Sequence, residues 1–169
     1  ERVGVATFYL SDRDVINALK RSAQRGVALR LLLDANKDAF GNPKFGIPNR
    51  SVAWELREDG IDLRWVHTHG EQCHTKMLLH ENMSGEAMIL LGSAILTRRN
   101  LDNFNLETNV LVRTDATSPV FKDANFHFDL LWYNQPGKVF SVPYDHYKSE
   151  SVIKKVLSRV MEASGFSTF

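Results

Sequence analysis

The run Val3-Gly-Val-Ala-Thr-Phe-Tyr-Leu10 is largely apolar and rich in β-formers, which predicts a buried strand. Ser11, with Asp14 three residues on, predicts a capping-box start; Val15, Ile16, Leu19 and Ala23 then recur at helical spacing, and Gly26 stands where a helix C-cap belongs. Val27 to Leu33 reads as a second buried strand, so the first 33 residues form a strand–helix–strand unit. That unit implies a parallel pair with a right-handed crossover. Residues 34–48 hold two glycines and two prolines and read as a loop. Asn49 is placed to cap a short helix carrying Val52, Ala53 and Leu56, closed by Gly60 and followed by the strand Ile61 to Val66.

The second half of the chain is patterned as hairpins. His74 to His80 predicts a strand, Glu81 to Gly85 a turn, and Ala87 to Leu91 the returning strand. Leu106 to Val112 predicts another. Pro119 opens a helix with Val120, Phe121, Ala124, Phe128, Leu131 and Trp132 at helical spacing, ended by Pro136-Gly137. Ser149 then caps a last amphipathic helix with Val152, Ile153, Val156, Leu157, Val160 and Met161 on one stripe. The expectation is an α/β domain spanning 1–169, a mixed sheet flanked by helices.

Composition narrows the class of protein. The chain has 169 residues, 43% hydrophobic and 24% charged, which suits one domain with a sizeable core and excludes a disordered chain. Lys and Arg number 21 against 20 Asp and Glu, so bulk charge gives little attraction to a polyanion. A single cysteine, Cys73, excludes an intrachain disulfide framework and a Cys-rich zinc module. No apolar run approaches the ~20 residues of a membrane-spanning helix. The chain opens on Glu1 and enters a strand at once, which points to an excised piece of a longer protein.

His74-Thr-Lys76 stands at the start of the hairpin strand, and strand residues two apart share a face. An imidazole beside an ammonium suits phosphate chemistry, one attacking or protonating while the other holds anionic oxygens. Alone, such a pair is more often a solvent-facing polar couple on an edge strand. Gly92-Ser93 ends the next strand, where small residues admit a phosphate to the backbone and Ser93 offers a hydroxyl. Asn105 and Glu107 lie two apart on the following strand. From there a Glu107 carboxylate is expected to accept a hydrogen bond from the His74 ring and fix its tautomer.

In this order, His74, Lys76, Glu81, Gly92, Ser93, Asn105 and Glu107 resemble the phospholipase D superfamily. Its HKD motif is His-x-Lys-x(4)-Asp, followed by Gly-Ser-x-Asn and Asn-x-Glu. The stretch from Gly92 to Val110 is most similar to the C-terminal half of bacterial cardiolipin-synthase-like members. Glu81 replaces the family's Asp. Ile95 occupies the Asn position of Gly-Ser-x-Asn and removes a hydrogen-bonding side chain from the phosphate site.

The resemblance implies a phosphodiesterase or phosphatidyl transferase acting on phospholipid through a phosphohistidine, without cofactor or metal. His74, Lys76, Glu81 and Glu107 form its catalytic set, and Gly92, Ser93 and Asn105 its phosphate-binding set. Such enzymes oppose two His-x-Lys motifs, and here His146-Tyr-Lys148 lacks the elements that follow a true one. The expected partner is therefore a second HKD half, either a missing N-terminal domain or a second copy. The resemblance suggests a bacterial protein, cytoplasmic or peripheral to a membrane. A homodimeric, metal-independent nuclease and a non-catalytic half-domain are the competing readings, the latter motivated by Ile95.

Several other residues have duller explanations. His67, His69 and His74 could suggest zinc, but they lack a carboxylate set. Arg98-Arg99 reads as a solvated turn or an anion guide. The aromatic helix 121–133 reads as core packing. Lys154, Lys155 and Arg159, opposite the last helix's apolar stripe, offer contact with a membrane surface, although packing on the domain is more economical.

Overall fold

The computed structural model describes residues 1–36, 48–102 and 104–147, together with the backbone of 38–39 and 42–43. The helix expected from Ser149 onward lies outside these residues, as does most of the loop expected over 34–48.

Seven strands form one mixed sheet: β1 (Arg2–Thr7), β2 (Ala28–Asp34), β5 (Asp62–Val66), β6 (Lys76–Glu81), β7 (Glu86–Gly92), β8 (Asn109–Asp115) and β9 (Ser141–Pro143). A separate two-residue hairpin pairs β3 (Asp38–Ala39) with β4 (Asn42–Pro43). The order across the large sheet is β8-β7-β6-β1-β2-β5-β9. β1, β2 and β5 run parallel, joined through α1 (Arg13–Gln24) and α2 (Asn49–Glu58). β6, β7 and β8 are antiparallel neighbours on one side, and β9 closes the other edge. The strand–helix–strand unit and the hairpin are thus both present, and the fold is the mixed α/β sheet expected.

Several boundaries differ from the sequence reading. The cap of α1 is Asp12, not Ser11; its carboxylate accepts the Val15 N–H at 2.9 Å. Asn49 is the first residue of α2 and does not cap it. Its amide instead donates to the carbonyls of Phe8 (2.7 Å) and Asp34 (2.8 Å), and its oxygen accepts the Leu10 N–H. β8 begins at Asn109, three residues later than the apolar run suggested, and leaves Leu106 fully exposed.

The two faces are covered unequally. On one, Leu63, Leu31, Val5, Leu78, Leu90 and Leu111 stand side by side across six strands. α1 and α2 pack over the first three of these, which are 2%, 0% and 1% exposed. Leu78 and Leu90 are only half-buried, and Leu111 is 47% exposed. On the opposite face α4 (Pro119–Tyr133), capped by Ser118, buries Phe121, Phe128 and Trp132 against Ala6, Met77, Leu79 and Ile89. Gly4 makes room for this helix, since a Cβ there would meet the Phe128 ring at 3.1 Å. Each such aromatic contributes roughly 1.5–3 kcal/mol through burial.

Candidate functional site

Strand register gathers the candidate residues at one end of the sheet. Thr7 pairs with Lys76, the next step of the β6–β7 ladder sets Lys76 across from Gly92, and Gly92 pairs with Asn109. Lys76 therefore lies on the same face as Leu78 and Leu90, on the part of that face that α1 and α2 leave uncovered. A shallow apolar hollow follows from it, lined by Lys76, Leu78, Leu90, Leu96 and Leu101.

His74 precedes β6 rather than lying in it, with its ring exposed and 5.4 Å from that of Phe8. Its carbonyl accepts the Lys76 ammonium at 2.8 Å. Desolvation, and then the Lys76 charge, hold the His74 imidazole below its ordinary pKa. Lys76 is likewise pulled down by burial, while Cys73 and Glu107 oppose the shift. At neutral pH the pair is therefore an uncharged imidazole beside a partly desolvated ammonium.

Gly92 is needed sterically. A Cβ at this position would lie 2.6 Å from the Thr108 carbonyl oxygen and 2.7 Å from the Asn109 Cα. The close approach brings Ser93 against the segment entering β8, where its N–H donates to the Thr108 carbonyl at 3.0 Å and its hydroxyl accepts the Thr108 N–H at 3.0 Å. The same hydroxyl donates to Glu107 Oε2, and Glu107 Oε1 accepts the Asn100 amide. Glu107 thus bonds to Ser93 and Asn100 and not to the His74 ring, the partner expected for it. It still stands near enough to Lys76 to support the ammonium.

The remaining candidates fall elsewhere. Asn105 lies on the bend before β8 and accepts the Arg99 Nε–H at 3.3 Å. Ile95 is half-buried in the loop after β7. Glu81 is at the other end of β6, five residues or about 17 Å from Lys76. There it pairs with Arg2 on β1, whose Nε–H it accepts at 2.6 Å. The structure does not bring Glu81 to the site, because the extended β6 carries it to the opposite end of the sheet, across from Arg2. His67 and His69 pack together, their ring centroids 4.5 Å apart, and His146 is 6.2 Å from His67. Among the described residues, no group of three or more His, Cys, Asp and Glu is arranged to hold a metal ion.

Sequence reasoning missed Asn100, which is 8% exposed and binds Glu107 from α3 (Arg98–Leu101). Thr97, fully buried, donates its hydroxyl to the Asn100 side chain at 2.9 Å. The Thr-x-x-Asn spacing was the available signal, since residues three apart meet in a helical turn.

The fold has solved counterparts. Nuc of Salmonella typhimurium, a phospholipase D family member, superposes with a TM-score of 0.58 at 17% identity over 78% of each chain. NucT from Helicobacter pylori gives 0.57 at 16% over 76% of each. The phosphatidylserine synthase of Haemophilus influenzae gives 0.64 at 12%, covering 98% of this chain and 39% of that one. No curated protein sequence matches the chain. The sequence does match the family described as cardiolipin synthase, PLD-like domain, over residues 1–132. A family match across most of the chain, on a sheet shared with phospholipase D proteins, shows that the chain belongs to this PLD-like domain family.

Proposed function

We propose that the chain is one catalytic half, the C-terminal one, of a phospholipase D-type phosphodiesterase or phosphatidyl transferase that acts on phospholipid. The observation that carries this reading is the cluster at the Lys76 end of the sheet: a neutral imidazole, a desolvated ammonium and a tight Gly92-Ser93 turn. In the proposed reaction an imidazole nitrogen attacks phosphorus as the P–O bond to the leaving alcohol breaks. A second imidazole gives that oxygen its proton. The second imidazole then takes a proton from water or an acceptor alcohol, whose oxygen attacks phosphorus and breaks the P–N bond. His74 fills one of these two roles, and an imidazole held uncharged at neutral pH suits the attacking one, with the proton donor on the opposing half.

Lys76 offsets charge on the phosphoryl oxygens, which a partly desolvated cation does well. Gly92 and Ser93 let those oxygens approach the backbone, and Asn105 flanks them. Glu107 contributes by holding Ser93 and Asn100 and by supporting the Lys76 charge, while Glu81 serves the β1–β6 pairing. The second imidazole comes from another HKD half, and the uncovered face bearing Leu78, Leu90 and exposed Leu111 supports such a partner.

The test is head-group release from phospholipid vesicles, with EDTA present, by this chain alone and by the protein of the full reading frame. The chain alone is expected to be nearly inert and the full protein active. Cleavage of single-stranded DNA by the chain alone, without lipid turnover by the full protein, would replace this reading with a homodimeric nuclease. No turnover of either substrate would leave a non-catalytic half.

A further inference from the structure

Asp34 ends β2 and is 1% exposed. A carboxylate is costly to bury unless its oxygens are hydrogen-bonded, so where those bonds go is informative. Oδ1 accepts the Asn36 N–H at 2.6 Å and the Asn36 side-chain amide at 3.3 Å. Oδ2 reaches out of its own strand to accept the Cys73 N–H at 2.7 Å. Asn36 and Asn49 brace the carboxylate in turn: Asn49 N–H donates to Asn36 Oδ1 at 3.1 Å, and both side chains donate to the Phe8 carbonyl.

The amide held by Asp34 belongs to the residue immediately before His74. Residues 67–75 form neither helix nor strand, so no ladder fixes where His74 stands before β6 begins. His67 is tied at the start of this segment by its N–H to the Phe140 carbonyl at 2.8 Å. The Asp34–Cys73 bond is a second tie, anchored at the end of β2 and one peptide from the imidazole.

We infer that Asp34 is a positioning residue: it clamps the Cys73 amide to the end of β2 and thereby fixes the His74 ring beside Lys76. This rests on the reading of His74 as a reacting imidazole. The clamp works through the backbone, since the shift of His74 has burial and Lys76 as its causes and not Asp34. A displacement on the order of 1 Å at a reacting group costs about a hundredfold in rate.

The test joins amide exchange with kinetics on the wild-type, Asp34→Ala and Asp34→Asn proteins. In the wild type the Cys73 amide should exchange on the order of a hundredfold slower than exposed loop amides. Asp34→Ala should bring it to the loop rate and move the His74 ring resonances, with β1 and β2 amides still protected. Asp34→Asn, which keeps one acceptor, should fall between. In the full-length enzyme Asp34→Ala should lower kcat by about 10- to 100-fold, with KM within about twofold and the pH midpoint kept. An unprotected Cys73 amide in the wild type, or unchanged His74 resonances in both folded variants, would overturn the clamp. So would failure of both variants to fold, because the carboxylate would then serve the fold as a whole. If the resonances respond but no protein turns over phospholipid, the clamp stands and the catalytic reading falls.

Discussion

Ser93 donates its hydroxyl to Glu107, and that bond closes a short loop from the end of β7 to the segment entering β8. Both residues are thereby held near Lys76, which Glu107 supports electrostatically. A serine whose hydroxyl both donates to a carboxylate and accepts a backbone N–H has its orientation set before substrate arrives.

Removing Glu107 should therefore have two separable effects. Glu107→Ala leaves the buried Asn100 amide without its acceptor, costing about 1–3 kcal/mol in urea unfolding. It also removes a charge that raises the Lys76 pKa, so the alkaline limb of turnover should move to lower pH. Glu107→Gln should recover part of the stability but not the pH limb. Unchanged stability and pH profile in Glu107→Ala would show that the carboxylate does neither job.

Gly92→Ala forces a Cβ into the backbone of Thr108 and Asn109. The β7–β8 pairing must open to accept it, at a cost of about 1–3 kcal/mol. Turnover should fall with it, because Ser93 is carried on the same turn. Thermal unfolding and a rate measurement check both, and a variant as stable as the wild type would refute the tight approach.

How much of this was legible beforehand follows from what pattern can encode. Apolar periodicity marked the two strands and the helix of residues 3–33 and the 74–91 hairpin, because those segments bury one face or both. The ordered set from His74 to Glu107 identified the family. Partners were less legible: Asn49 looks like a cap from its neighbours alone, yet its side chain bridges Phe8, Leu10 and Asp34 across three segments. Glu107 looked like a partner for His74 because same-face spacing assumes a strand, whereas the chain there is not yet in β8. Asp34, an acid closing an apolar strand, carried no local hint of its bond to Cys73 39 residues away.

Away from the site, Glu55 should give the fold an acid-sensitive term. Arg13, then Lys20, overcome the desolvation of its carboxyl and hold it at about 2, well below its ordinary value of 4.5. A depressed carboxylate stabilises the folded state above its unfolded pKa, and that contribution is lost as pH falls from about 4.5 toward 2. Solvent screening of a surface cluster discounts it to about 1 kcal/mol. Urea unfolding at pH 6 and pH 3 should show a smaller pH-linked loss in Glu55→Gln than in the wild type. Equal losses would mean that the ion pairs contribute nothing.

The central claim is that His74 acts on phosphorus chemistry as a neutral imidazole, and its most direct measurement is phospholipid head-group release by the full-length protein across pH, with and without His74→Ala. The wild type should gain activity with rising pH through a midpoint below the ordinary histidine value of 6.5, since His74 is held down by burial and Lys76. His74→Ala should lower the rate by about 100-fold or more and abolish that limb. A His74→Ala protein that keeps wild-type turnover, or the same acid limb, would contradict the account.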